Sequence, residues 1–337
     1  MNPGSREPVR VGVIGVGHLG HLHAKMLAGL PSALLAGVHD VRADRAASVA
    51  AEFGTRAYPG VAELIAASDA LTVATVTPAH HAVALAALGA GRHVFIEKPI
   101  TETVEQADEV CTLAAKRGLV LQVGHIERFN PAILALGDRE IRPMFVESHR
   151  LSQFNPRGTD VAVVLDLMIH DIDIILSFVR SPVTRIDANG VAVVSESIDI
   201  ANARLQFENG CVANVTASRI SQRKMRKMRL FQPREYISID FLEGAAEVFS
   251  LGAPDEEPRS GVMAMGEIGS GDNRRRLLYE QPAVAEVNSL REELDRFVTS
   301  VRTGSPPLVG GEDGKRALEV AGRIMETIAS NTVTLER

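Results

Sequence analysis

The sequence predicts an α/β protein built in two parts: an N-terminal doubly wound parallel sheet over residues 1–127, then a C-terminal α+β domain with an open, mostly antiparallel sheet over residues 128–337. Two patterns carry that expectation. Up to residue 127, short β-rich apolar runs alternate with longer Ala-rich helical stretches, as in a parallel sheet covered by helices on both faces. Beyond it, strand-like runs follow one another with hairpin punctuation, as in an antiparallel sheet with helices on one face. The 337 residues, 45% of them apolar, suffice to bury a core in each part.

The first five strand-like runs are VRVGVIG, LLAGVHD, ALTVATV, HVFIEK and LVLQVGH, with helical patterns between them near residues 20–29, 42–53, 79–90 and 103–117. The last helix has both ends marked: Thr103 and Gln106 form a capping box, and Gly118 follows the final turn. Beyond residue 127, a helical segment near 130–137 and the acidic helix VLDLMIHDIDIILSFV precede runs at RIDANGVAVV, DIANARLQF, CVANVTASRI, KMRLFQ and YISIDFL. Asn209 and Gly210 sit between two apolar runs, a strong hairpin signal. Residues 252–275, with five glycines, Pro254 and Pro258, read as a long mobile loop or lid. Helices near 288–303 and 312–330 close the chain, and no internal repeat is visible.

A net charge of −6 offers no general attraction to nucleic acid or an anionic membrane, so a small ligand is the expected partner. Cys111 and Cys211 stand far apart in ordinary amphipathic contexts, which suits buried free thiols in a reducing compartment. MNPGSREP lacks a basic region followed by an apolar run, and no stretch approaches the ~18 apolar residues of a membrane span, so the expected location is cytoplasmic.

GVIGVGHLGHLHAKML places Gly15, Gly17 and Gly20 in G-x-G-x-x-G spacing between a strand and a helix. The first glycine permits the tight turn, the second lets backbone N–H groups approach a pyrophosphate, and the third lets helix and strand pack closely. His18 and Leu19 complete this turn at the start of the helix, where its N-terminus favours negative charge. The spacing alone also occurs in ordinary Gly-rich turns. Asp40 strengthens the dinucleotide reading: it ends the second strand, 20 residues after Gly20, where a carboxylate accepts hydrogen bonds from the adenosine ribose and repels a 2′-phosphate. NAD is therefore expected over NADP, although Arg42 could accommodate the extra phosphate. Thr75, Thr77 and Pro78, with His81 just beyond, fall at the carboxyl edge of the sheet where ligands bind and are assigned to the cofactor.

VFIEKPI places Glu97 and Lys98 at the end of the fourth strand, on that same edge. An ammonium there could hydrogen-bond a substrate hydroxyl and stabilise the alkoxide that develops as hydride leaves carbon; a surface ion pair at a strand end is the alternative. In DLMIHDID, Asp166, His170 and Asp173 stand at i, i+4 and i+7, within roughly 60° on a regular helix, opposite Leu165, Met168, Ile169, Ile172 and Ile175. A carboxylate one turn before a histidine can fix its tautomer and support the imidazolium. A solvated face, or a divalent metal site made by the two carboxylates and the histidine, remains open at this point, though no further ligand is evident and no metal is expected.

GVGHLG, EKP and DLMIHDID, in this order, resemble the Gfo/Idh/MocA family of nicotinamide-dependent sugar and cyclitol oxidoreductases, and GHIERFNP at the domain junction extends the likeness over nearly the whole chain. The resemblance implies an N-terminal Rossmann domain, a C-terminal domain forming dimers or tetramers through its sheet, and NAD often kept bound through turnover. It implies catalysis by Lys98, Asp166 and His170, with His170 as general base and Glu97 and Lys98 also at the cofactor. Substrate contacts are expected from Lys98, His125, Arg128, Asp166, His170 and Arg219. VGHIERFNPAI, DLMIHDIDI and ANARLQFENGCVANVTASRISQRKMRKMR are most similar to the subgroup that oxidises UDP-N-acetylglucosamine at C3 for later transamination in lipid A modification. Arg219, Arg223, Lys224, Arg226, Lys227 and Arg229 form a cationic cluster that could meet a nucleotide-sugar diphosphate, or lie on a solvated or subunit-facing stretch. Other readings are the same chemistry on a free sugar, inositol or UDP-sugar uronic acid, and a non-catalytic dinucleotide-binding regulator.

Overall fold

The computed structural model describes residues 7–155 and 161–331. The chain forms two compact units, Met1–Phe129 with Val287–Leu318 and Asn130–Glu286 with Glu319–Arg337.

The first unit holds a five-stranded sheet, β1 (Val9–Ile14), β2 (Ala33–His39), β3 (Ala70–Val73), β4 (His93–Glu97) and β5 (Leu121–Gly124), in the order β2-β1-β3-β4-β5. Every pairing is parallel, so all strands present their carboxyl ends on one edge, and the order reverses between β1 and β3. Its helices are α1 (His18–Ala28), α2 (Ala43–Glu52), α3 (Val61–Ala67), α4 (Thr77–Gly89) and α5 (Val104–Arg117), followed after residue 287 by α8 (Ser289–Thr303). Alternation along β1 sorts them: Val9, Val11 and Val13 enter a core with Ala24 and Leu27 of α1, Val49 of α2, and Leu294, Phe297 and Val298 of α8. On the other face of β1, a Cβ at Gly12 would lie 2.8 Å from Leu64 of α3. The N-cap of α5 follows the capping-box expectation in part: the Gln106 N–H donates to the Thr103 hydroxyl at 3.3 Å, but the Gln106 carboxamide accepts from the Glu102 N–H. Gly118 closes that helix in the left-handed conformation, φ 62°.

Two differences from the expected partition stand out. The sequence boundary at 127/128 lies two residues before the one observed, and α8, grouped by sequence with the second domain, supplies core side chains to the first. Its apolar face completes the layer over β1 that α1 begins.

The second unit contains α6 (Pro131–Leu134), α7 (Ile169–Val179) and a nine-stranded sheet of β6 (Phe145–Leu151), β7 (Val183–Val191), β8 (Ile200–Phe207), β9 (Val212–Ser218), β10 (Met225–Gln232), β11 (Glu235–Asp240), β12 (Ala245–Gly252), β13 (Val262–Ile268) and β14 (Arg275–Glu280). Their order is β13-β14-β12-β11-β10-β6-β9-β8-β7, antiparallel except for the parallel pair β6 and β9. Residues 252–275 are therefore no single loop: they carry β13, which pairs with β14 at the sheet edge. Nearly every β13 side chain is exposed, so no alternation of burial marked it. The Asn209-Gly210 turn does join β8 to β9, as a turn in which the Gly210 N–H donates to the Phe207 carbonyl and Gly210 takes φ 85°.

One face of this sheet buries Val146, Met228, Leu230, Ile237, Ile239 and Val248. The opposite face carries Phe145, Phe231, Tyr236, Phe249 and Tyr279, directly paired across five strands with ring centroids 5.8, 5.0, 5.5 and 5.1 Å apart. Helix α9 (Gly311–Asn331) runs from the first unit, where Gly314 packs on Val123, into the second, where Arg323 donates to the Val183 carbonyl at 3.0 Å. Cys111 and Cys211 are buried free thiols, and burial pushes them up to about 12 and about 11. Among the described residues no helix is long and apolar enough to cross a membrane.

Candidate active site

The three glycines of the β1–α1 turn have different physical reasons to be there. Gly15 takes φ +81°, and a Cβ on it would meet the Thr75 backbone nitrogen at 2.8 Å. A Cβ on Gly20 would fall 1.8 Å from the Gly15 carbonyl oxygen. Both are demanded by the chain's own packing. Gly17 is not: the nearest atom to its virtual Cβ is Arg45 Nη1 at 3.7 Å. Gly17 is also the N-cap of α1, with no side-chain cap, and His18 and Leu19 are exposed beside it. An open space at an uncapped helix N-terminus suits a pyrophosphate approached by backbone N–H groups. The residues present fit a dinucleotide.

Asp40 follows β2 and turns back onto this loop, its Oδ2 accepting from the Val16 N–H at 2.9 Å and its Oδ1 from the Arg42 N–H at 2.9 Å. The Arg42 guanidinium points elsewhere, pairing with Asp44 at 2.8 Å. Arg45, in the first turn of α2, is the cation that reaches Asp40, at 3.4 Å, and it also borders Gly17. Its signal in the sequence was its place one turn into the helix that follows the acidic residue.

After β3, Thr75 packs against Gly15, and half-buried Thr77 and exposed Pro78 begin α4. His81 of α4 pairs with Glu109 of α5 at 2.8 Å. Its neighbour His80, 1% exposed, faces the sheet edge instead: Nδ1 lies 3.0 Å from the Pro99 carbonyl oxygen and Nε2 3.1 Å from that of Thr75. Burial pushes the His80 imidazole below its ordinary range, against the pull of those carbonyls.

Glu97 ends β4, and Lys98 follows it half-buried, joined to Pro99 by a cis peptide. Glu97 Oε1 meets His23 Nε2 of α1 at 2.8 Å, and Glu97 Oε2 accepts from the Lys98 N–H at 3.3 Å. His125 is buried just after β5, and the Arg128 guanidinium stands 4.0 Å from Asp313. The first unit thus gathers the glycine turn, Asp40, Thr75, Glu97, Lys98 and His125 on the carboxyl edge of one sheet.

In the second unit the acidic helix is not regular. Val164–Met168 form a π-helical turn containing Asp166, and α7 starts at Ile169, so Asp166 and His170 lie on either side of a change of pitch. Both are half-buried, while Asp173 is 2% exposed, so the stripe is no solvated face. Asp171, adjacent to His170, receives a bidentate pair from buried Arg150 of β6 at 2.7 and 3.1 Å, which ties α7 to the sheet.

The cationic cluster is divided by its strand. Arg219 is 5% exposed; its guanidinium donates to the Val161 carbonyl and lies 4.0 Å from Asp199. Burial would raise the Asp199 carboxyl, but the Ser195 hydroxyl and the N–H groups of Ser195, Val194 and Val193 outweigh it and hold Asp199 well below the usual range. On β10, Lys227 pairs with Asp240 at 3.1 Å and Arg229 with Glu147 at 3.5 Å, while Arg223 and Lys224 are exposed in the preceding turn. Among the described residues no group of three or more His, Cys, Asp or Glu is gathered to hold a metal ion.

Known proteins share this architecture. Residues 9–125 match the model of an oxidoreductase family with an NAD-binding Rossmann fold, and residues 142–238 match the GFO/IDH/MocA C-terminal domain. The UDP-N-acetylglucosamine 3-dehydrogenase of Acidithiobacillus ferrooxidans is 39% identical over 93% of this chain and 95% of its own. The solved structure of that species' UDP-N-acetylglucosamine 3-dehydrogenase GnnA superposes with a TM-score of 0.85, at 36% identity over 96% of this chain and 99% of its own. The myo-inositol 2-dehydrogenase of Thermotoga maritima is 29% identical over 92% of this chain and 93% of its own.

Proposed function

This chain belongs to the Gfo/Idh/MocA family of oxidoreductases, and from that premise we propose that it oxidises the 3-hydroxyl of UDP-N-acetylglucosamine to a ketone. The observation that carries the substrate is the 39% identity to a UDP-N-acetylglucosamine 3-dehydrogenase along 93% of the chain. NAD, when bound, supplies the hydride acceptor. Gly17 and the open first turn of α1 would take its pyrophosphate, and Asp40 its adenosine ribose.

Removing hydride from a carbinol carbon requires that the hydroxyl proton also leave. In this reading Lys98 hydrogen-bonds the hydroxyl and stabilises the developing alkoxide, His170 accepts the proton, and Asp166 holds the imidazole in the accepting tautomer. His125 and Arg128 orient the sugar. The ketone is the group an aminotransferase needs, which sets the reaction ahead of transamination in lipid A modification, in the cytoplasm. The aromatic row from Phe145 to Tyr279 supports assembly of identical chains through that sheet face.

A second reading, oxidation of an inositol, is favoured by the likeness to the myo-inositol enzyme. Following the reduced-nicotinamide absorbance as UDP-N-acetylglucosamine or myo-inositol is added separates them. Growth of that band with UDP-N-acetylglucosamine supports the proposal; growth with myo-inositol alone overturns it.

A further inference from the structure

The turn that carries Lys98 is held on both sides by buried imidazoles that the chemistry above does not use. On the amino side, His23, fully buried on α1, meets the Glu97 carboxylate at 2.8 Å. On the carboxyl side, His80 of α4 lies 3.0 Å from the Pro99 carbonyl. Its second nitrogen, 3.1 Å from the Thr75 carbonyl, reaches the segment whose backbone abuts Gly15 of the dinucleotide turn. One ring therefore stands between the Lys98 turn and the cofactor turn at the strand ends of β3 and β4, with a single N–H to donate in its neutral form. A buried imidazole facing two carbonyls is also an expensive filler for a core position that a Leu could occupy.

We propose that His80 is a positioning residue for Lys98: with its one ring proton on Nδ1 it donates to the Pro99 carbonyl and so sets the place of the Lys98 backbone, while Nε2 stands against the Thr75 carbonyl beside the dinucleotide turn. The inference rests on the catalytic role proposed for Lys98. It follows from the tolerance of catalysis to displacement: an offset of about 1 Å in a positioned group can cost ~10²-fold in rate. His80 touches neither substrate nor cofactor in this scheme; it acts through Pro99.

Three replacements at position 80 divide its contacts. The Asn carboxamide nitrogen falls where Nδ1 stands and can donate to Pro99. The Gln carboxamide nitrogen falls where Nε2 stands and can donate to Thr75. Leu does neither. Each is made in the full chain, checked for folding by thermal unfolding and for cofactor affinity by NAD titration, and followed by two readouts. The first is the rate at which acetic anhydride labels Lys98, read by peptide mass spectrometry against exposed Lys116. His80→Leu and His80→Gln should change the Lys98 rate by more than ~3-fold and His80→Asn should restore it, since the accessibility and orientation of an amine set its reactivity. The second is kcat, expected to fall ~10-fold or more in His80→Leu with KM for NAD little changed, and to show no further fall when His80→Leu is added to Lys98→Ala.

Unchanged Lys98 labelling in folded His80→Leu overturns the inference whatever Lys98 does. Equal kcat losses with and without Lys98 also overturn it, because His80 would then act by another route. A labelling change restored by Asn, in a protein whose Lys98→Ala form is fully active, would leave the positioning intact and remove the catalytic assignment of Lys98 instead.

Discussion

Glu97 Oε1 lies 2.8 Å from His23 Nε2, joining the end of β4 to the first helix across a site where the imidazole is fully buried and the glutamate 9% exposed. Burial alone would raise the Glu97 carboxyl. The hydrogen bond and charge of His23, the charge of Lys98 and the Lys98 N–H together outweigh it and hold Glu97 below the usual carboxylate range. The acid before Lys98 is thus kept ionised by the helix that opens the dinucleotide site.

Deleting one partner of such a pair leaves the other buried and uncompensated. We expect His23→Leu to cost about 3 kcal/mol or more in unfolding free energy. His23→Gln, which retains a donor toward Glu97, should lose less. Denaturant titration decides it: a loss under ~1 kcal/mol for His23→Leu would mean that the pair contributes little to the fold.

Two other histidines set a pH dependence. Burial lowers both His80 and His93, and His93 Nδ1 accepts the Val120 N–H at 2.9 Å, a bond that protonation would abolish. In the unfolded chain these rings take up protons near the ordinary imidazole value of 6.5, while the folded state resists. Their contribution is therefore complete above that value and is lost as the pH falls through the lower folded values. Glu97 behaves alike at lower pH, its contribution present above the unfolded carboxyl range and lost as pH falls below it. The denaturation midpoint should fall from pH 8 to pH 5, and less steeply in His93→Gln. A flat wild-type profile would refute this.

Cofactor choice should turn on Asp40. Its carboxylate meets Arg45 at 3.4 Å and would repel a 2′-phosphate, while Arg42 and Arg45 offer compensating charge nearby. Asp40→Ser is expected to shift the ratio of kcat/KM values for NAD and NADP by ~10-fold or more toward NADP. An unchanged ratio would move the source of discrimination elsewhere.

Legibility in the sequence tracked how far each segment obeyed a simple period. The β1–α1 turn, Asp40 and the Glu97-Lys98-Pro99 end of β4 were readable because parallel strands put their functional residues just after an apolar run. FVESHRL, which forms β6, carries a weak strand signal because Arg150 occupies a buried position, its charge matched by Asp171 some distance along the chain. β13 lacked a buried face altogether. The π turn at Asp166 depends on hydrogen-bond pitch, which side-chain spacing does not encode. The sequence assigns His81 to the cofactor; adjacent residues on a helix differ by about 100°, and it is packing that turns His80 toward the sheet edge.

Assembly through the second sheet can be tested at Phe231, 37% exposed between Phe145 and Tyr236 in the aromatic row. A glutamate there would put an unpaired charge among apolar rings at any contact between copies. Light scattering should find the wild type dimeric or larger and Phe231→Glu monomeric, with β10 still buried on its other face through Met228 and Leu230. A monomeric wild type would sink the proposal.

The glycine turn offers the cleanest separation of folding from binding. Gly20→Ala would drive a methyl to 1.8 Å from the Gly15 carbonyl oxygen, and backbone cannot yield that much locally, so this variant should lose stability by several kcal/mol or fail to fold. Gly17→Ala places its methyl 3.7 Å from Arg45 Nη1, the nearest atom apart from its own chain neighbours, at an N-cap whose φ of −64° an alanine accepts. Its stability should stay within about 1 kcal/mol of the wild type, since Gly and Ala differ modestly at a cap. The same methyl would occupy the space through which a pyrophosphate reaches the N–H groups of α1, so NAD affinity should drop ~10-fold or more. Thermal unfolding with and without NAD reads both effects at once. A Gly17→Ala protein that keeps its full NAD-dependent rise in Tm would show that the turn at Gly17 is not where the pyrophosphate lies.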